Sequence, residues 1–230
     1  MMFFKNAIAL LTLITISCAI SKETLSSEET THTYLALGDS YTIGESVCDS
    51  CNYPKQLTAS LNAVLKKKTT VKIIAKTGWT TTNLLTAIVN ENPPKNYDLV
   101  TLLIGVNNQY QGKPFSVYEE EFSELLEKAI EFAKGKTENV IVLSIPDYAF
   151  TPFGQKSEKA EKISKELEKY NAYAERKAKE KSVLFTNITP ITQQGLENPA
   201  LIASDGLHPS EVAYKKFVDK LFQVAKNILK

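Results

Sequence analysis

Tyr34-Leu35-Ala36-Leu37-Gly38-Asp39-Ser40-Tyr41 opens with four apolar residues and then breaks into a glycine, a carboxylate and a hydroxyl. So short an apolar run without polar alternation fits a strand buried on both faces, and such strands belong to parallel sheets covered by helices. The pattern recurs outward along the chain. Val71-Lys72-Ile73-Ile74-Ala75 and the run 98–104 both lead into glycine, 140–145 ends at Pro146, and 182–188 supplies a fifth segment.

Helical spacing fills the intervals. Leu57, Leu61, Val64 and Leu65 share a face, as do Phe122, Leu125, Leu126, Ala129, Ile130 and Ala133. Ser116 with Glu119 predicts a capping box ahead of the second helix, and Gly135 a left-handed stop behind it. Over 157–181, Ala160, Ile163, Leu167, Tyr170 and Ala174 keep helical spacing inside a charged stretch, whose charges read as a solvated face. A last helix starts at about Ser210 and turns Phe217, Val218, Leu221, Ala225, Ile228 and Leu229 inward. This alternation predicts a three-layer α/β/α sandwich around a five-stranded parallel sheet with right-handed crossovers. A flavodoxin-like order 2-1-3-4-5 puts the switch point between the first and third strands, with all strand carboxyl ends on one rim.

With 230 residues and 43% hydrophobic content, the chain has material for one substantial core. Its formal charge of +1 gives no field to gather nucleic acid. Three cysteines and two histidines are too few for a conventional zinc site, and no metal or cofactor is expected. No G-x-G-x-x-G follows the first strand, which argues against dinucleotide binding, and no G-x-S-x-G surrounds any serine.

Residues 1–17 combine Lys5, an apolar stretch over 7–16 and small residues after it, the shape of a secretory signal peptide. The stretch falls short of the roughly 20 apolar residues a transmembrane helix needs. Cys18 behind Ser17 resembles the lipidated cysteine of a bacterial lipobox, although Thr15 departs from the aliphatic residue preferred there; cleavage after Ala19 is the alternative. Residues 18–33, rich in Ser, Thr and Glu and containing His32, read as a flexible tether, with His32 a solvated bystander. The expectation is an exported protein, with or without a lipid anchor, whose domain spans 34–230 as a monomer.

Four polar clusters fall at the predicted rim: Gly38-Asp39-Ser40, Gly78-Trp79-Thr80, Gly105-Val106-Asn107-Asn108 and Asp205-Gly206-Leu207-His208. A serine nucleophile needs a neutral imidazole to take its proton and a carboxylate to hold that imidazole's tautomer. His208 is the only histidine in the folded part, and Asp205 can fold back onto its ring from three residues away. Each cluster has a plainer reading. Ser40 can be a helix N-cap, Gly78 and Asn107 turn-formers, and Asp205 and His208 caps of the last helix. Their joint occurrence, in order and at successive strand ends, favours catalysis.

The blocks Gly38-Asp39-Ser40, Gly78, Gly105-x-Asn107 and Asp205-x-x-His208 resemble the four signature blocks of the SGNH hydrolases, the GDSL esterases and lipases. Stretches such as 37–45 and 204–210 look like the bacterial envelope branch described as lysophospholipase-like. The resemblance implies hydrolysis of a small-molecule ester, with a lipid acyl or acetylated-carbohydrate ester as substrate, through an acyl-serine. It implies Ser40 as nucleophile, His208 as base and Asp205 as its orienter, with oxyanion donors from the Ser40 and Gly78 amides and the Asn107 side chain. Asn108 stands where many members carry Asp, which questions how that loop is oriented. The competing reading is a non-catalytic envelope binding module on the same fold.

Asp147, behind Pro146, competes with Asp205 as the triad acid; its plainer role is a turn cap. Asp39 lies too close to the nucleophile to orient the base and reads as structural. Cys48 and Cys51 form a C-x-x-C that reads as a disulfide in an exported protein. Trp79, Tyr148, Phe150 and Phe153 either line a substrate pocket or pack in the core.

Overall fold

A computed structural model describes residues 31–156 and 158–230; the signal peptide, Cys18 and most of the tether lie outside the described residues. The chain runs β1 (His32–Gly38), α1 (Ser40–Ile43), α2 (Tyr53–Asn62), β2 (Thr69–Ala75), α3 (Thr81–Glu91), β3 (Leu99–Leu103), α4 (Val106–Tyr110) and α5 (Phe115–Phe132). It continues through β4 (Val140–Leu143), α6 (Pro152–Gln155), α7 (Ala160–Glu180), β5 (Leu184–Thr186), α8 (Thr189–Thr192) and α9 (Glu211–Ile228).

The five strands form one sheet in the order β2-β1-β3-β4-β5, every neighbouring pair parallel. Parallel pairing demands crossovers of one hand. The helices accordingly fall into two packed groups, α2 with α9, and α3, α5 and α7 in a row. The central strands β1, β3 and β4 are buried along almost their whole length, which is why they read as unbroken apolar runs. Thr101 is the polar exception in β3; its hydroxyl lies 2.8 Å from the Tyr34 hydroxyl and 3.1 Å from that of Tyr53, so this buried trio is mutually satisfied.

Several boundaries move. β1 starts at His32, so His32 and Thr33 belong to the sheet and not to the tether; Thr33 N–H donates to Asp98 Oδ2 at 2.9 Å, which fastens the strand's first turn of pairing. The capping box at Ser116 and Glu119 does not form. Pro114 occupies the cap position and the helix starts at Phe115, whose ring stacks edge-on against Tyr170 at 4.9 Å, so Ser116 already lies inside the helix. Thr80 and Asn83 make the box instead, at the head of α3, a helix that spacing did not single out. Val64 lies beyond the end of α2 and is 52% exposed. The fifth strand shrinks to three residues, with Ser182 in a left-handed conformation before it and Ile188 already capping α8 behind it.

Candidate active site

Asp39 caps α1, accepting from Tyr41 N–H at 3.0 Å, and Ser40 is the first residue of that helix. The Ser40 amide therefore has no carbonyl four residues back within the helix to bond. Ser40, Gly78, Asn107 and His208 all line one open cavity of about 290 Å³, walled by Val106, Tyr110, Tyr148, Phe153 and Leu207. It opens at the switch point, beside the ends of β1 and β3.

His208 Nδ1 lies 2.6 Å from Asp205 Oδ2. The tight turn between them is closed by Asp205 Oδ1, which accepts from Leu207 N–H at 2.9 Å and His208 N–H at 3.0 Å. Ser46 Oγ adds a further bond, donating to Asp205 Oδ2 at 2.6 Å. Burial pushes the Asp205 carboxyl upward, but the donors from Ser46, from the His208 ring and from the two backbone amides outweigh it and hold the group well below the usual carboxylate range. A charged Asp205 places the proton on Nδ1 and leaves Nε2 free to accept one. No hydrogen bond joins Ser40 to His208 among the described residues; both open on the same cavity, and such bonds are commonly long until substrate arrives.

Gly78 sits at the third position of a turn closed by Trp79 N–H to Lys76 O at 3.2 Å, with φ +83°, the left-handed value such a turn reserves for glycine. Its N–H has no partner among the described residues, while its carbonyl accepts from Gln111 Nε2 at 3.1 Å. Asn107 Nδ2 donates one hydrogen to Trp79 O at 3.0 Å, which aims the amide and leaves its second hydrogen unspent. Gly105, at φ +127°, lets the loop pass where a Cβ would stand 2.5 Å from the Tyr118 ring. Asn108 resolves the doubt over its own position: Oδ1 accepts from Thr81 N–H at 3.0 Å and Nδ2 donates to Thr81 Oγ1 at 2.6 Å. It ties the loops after β2 and β3 together, and the Thr81 hydroxyl donates in turn to the Glu121 carboxylate.

A model of the GDSL-like lipase/acylhydrolase family matches residues 36–216, the span that holds all five of these site residues. The chain belongs to this family. Solved structures share the fold of this acylhydrolase. An acetyl xylan esterase from Geobacillus stearothermophilus is 17% identical with a TM-score of 0.64, covering 86% of this chain and 96% of its own. A lipase/acylhydrolase from Enterococcus faecalis is also 17% identical, with a TM-score of 0.66 and the same coverages of 86% and 96%. The esterase EstA from Pseudoalteromonas sp. is 16% identical, with a TM-score of 0.60 over 86% of this chain and 98% of that one. No curated protein matches the chain.

Asp147 and Asp39 stand outside the cavity that Ser40 lines, although Asp147 shares a small neighbouring cavity with His208. Asp147 takes the turn-capping role: Oδ1 accepts from Ala149 N–H at 3.0 Å, and Oδ2 from Ser164 Oγ at 2.6 Å and Gln193 Nε2 at 3.3 Å. It lines a larger groove of about 510 Å³ against α7, which contains neither Ser40 nor His208. Asp39 is fully buried, and that burial pushes its carboxyl up to about 7 against the pull of the Tyr41, Asp39 and Gly105 amides. All four aromatics pack in or against the core cluster; Tyr148 and Phe153 also line the Ser40 cavity, which Trp79 and Phe150 do not. Cys48 and Cys51 are bonded, with sulfurs 2.06 Å apart. Among the described residues no group of three or more His, Cys, Asp or Glu converges to hold a metal ion. Spacing gave no hint of Tyr110, Gln111 or Ser46, and put Leu207 at the rim without a role. Of these, Tyr110 alone had a usable signal, an aromatic two residues beyond the Asn107-Asn108 pair at a rim loop.

Proposed function

We propose that this acylhydrolase is a serine esterase in which Ser40 is the nucleophile, His208 the base and Asp205 its orienter. The observation that carries the reading is the Asp205–His208 bond of 2.6 Å opening on the cavity that also holds Ser40 and the unspent Gly78 and Asn107 donors. Nε2 of His208 takes the Ser40 proton as Oγ attacks the ester carbonyl, and returns it to the departing alcohol. Water then attacks the acyl-serine by the same route. The Ser40 and Gly78 amides and Asn107 Nδ2 bind the oxyanion, each such donor typically contributing ~3 kcal/mol to the barrier.

The walls of Val106, Tyr110, Tyr148, Phe153 and Leu207 suit an apolar acyl group or a sugar stacked on an aromatic face, so lipid acyl esters and acetylated carbohydrates are the substrate classes. The signal-like 1–17 and the Cys48–Cys51 bond support an exported protein, and Cys18 a lipid anchor in the envelope. A panel of 4-nitrophenyl esters of rising chain length plus acetylated sugars, run beside Ser40→Ala, tests the reading. Turnover that Ser40→Ala abolishes is expected; no turnover of any member favours a binding module.

A further inference from the structure

The segment between α1 and α2, residues 44–52, reaches two other parts of the site. The Glu45 carboxylate accepts from the Thr77 hydroxyl, on the turn that presents Gly78. Ser46 Oγ donates to Asp205 Oδ2 at 2.6 Å across 159 positions of sequence. The far end of the segment is closed by the Cys48–Cys51 bond and anchored by the buried Asn52, whose Nδ2 donates to Ile43 O at 3.1 Å and Asp49 O at 3.0 Å.

We propose that Ser46 is a positioning residue of the triad, holding Asp205 at the angle and charge that keep His208 a base; the inference rests on the triad reading above and deepens it. Asp205 Oδ2 receives two donors at 2.6 Å, from His208 Nδ1 and from Ser46 Oγ, while Oδ1 is taken by two backbone amides. Without Ser46 the carboxylate is held only from its own turn and by the ring it is supposed to aim. Ser46 adopts φ +65°, sparsely populated for a residue with a side chain, so the hydroxyl is delivered at a conformational cost. By sharing the negative charge of Oδ2, the Ser46 proton also limits how tightly Asp205 holds an imidazolium. The other titratable groups facing the His208 ring are Tyr41, edge-on at 5.7 Å, and Asp147 and Tyr148 across a small neighbouring cavity.

Two variants separate hydrogen bond from scaffold. Ser46→Gly accepts the left-handed backbone and loses only the hydroxyl; Ser46→Asn tolerates the same backbone and offers an amide donor. Each is measured for kcat and KM on 4-nitrophenyl acetate against pH. The His208 C2–H resonance is titrated by NMR in parallel, with His32→Gln removing the one other histidine signal. For Ser46→Gly the expected result is a kcat about tenfold lower, the typical worth of one hydrogen bond to a charged group, with KM unchanged because Ser46 does not line the cavity. The acid limb of the rate profile and the His208 titration both move to higher pH, and Ser46→Asn recovers part of each change. A wild-type kcat and titration in Ser46→Gly would overturn the proposal, as would a lowered kcat with the His208 titration unmoved, which marks a scaffold role alone. If the wild-type protein leaves the ester intact, the triad reading fails, and the His208 titration still decides whether Ser46 acts on Asp205.

Discussion

Asp39 and Asp205 each stand behind a residue of the Ser40 cavity in opposite states, Asp39 fully buried next to Ser40 and Asp205 about a third exposed against His208. Asp39 is pushed up to about 7 because full burial outweighs the three backbone amides that donate to it. Asp205 is held low because Ser46, the His208 ring and two amides donate to it. Near neutral pH the Asp39 carboxyl is thus poised to hold its proton while the Asp205 carboxylate is charged. The lesson is that the balance of burial against aimed donors, and not the residue type, sets which acid stays charged to partner the histidine.

The comparison breaks most visibly in catalysis. Ser40→Ala and His208→Ala are each expected to lower kcat by about 10⁴-fold or more, and Asp205→Asn by about a thousandfold, since the three act as a unit. Steady-state kinetics on an ester that the wild type turns over checks this, and equal small losses in all three would remove the assignment. Asp39→Asn should instead act on stability. Its folded pKa exceeds its unfolded value, so the native state holds a proton that the unfolded chain has released, and wild-type stability should fall as pH rises from about 4 to about 7. The drop is on the order of 3 kcal/mol for a buried carboxyl shifted this far. Urea melts at pH 4.5, 6 and 8 should show that slope in the wild type and not in Asp39→Asn; an identical slope in both would contradict the contrast. Asp205 has the opposite sign, its contribution being lost only as pH falls below the ordinary carboxylate range.

Smaller effects sharpen the picture. Asn107→Ala should cost about a hundredfold in kcat with KM little changed, because the donor acts on the oxyanion. Replacing Cys48 and Cys51 by serine should lower stability by only about 2 kcal/mol, since the loop the bond closes is so short; a thermal melt checks it.

The strands and the four rim clusters were legible because each is local. An apolar run marks the buried strand, and the residues after it must sit at its carboxyl end. The Asp205–His208 pair was legible for the same reason, three positions apart in one turn. Ser46, Gln111 and the Thr81–Asn108 tie were not, because nothing in the neighbourhood of Ser46 signals a bond to a residue 159 positions away. The capping motif misled at Ser116 because Pro114 had already fixed the cap, and the true box at Thr80 used Asn83, outside the usual Glu or Gln pattern. Asn108 departs from the Asp many relatives carry, yet its amide both accepts from and donates to Thr81, and so secures the loop with its own chemistry.

The most direct test of the central claim is to quench a reaction with a 4-nitrophenyl ester at acid pH within the first turnovers and analyse the digest by mass spectrometry. The acyl mass should appear on the peptide that contains Ser40 and be absent from Ser40→Ala. Ester turnover with no acyl group on that peptide, or with acylation elsewhere that survives in Ser40→Ala, would contradict the account.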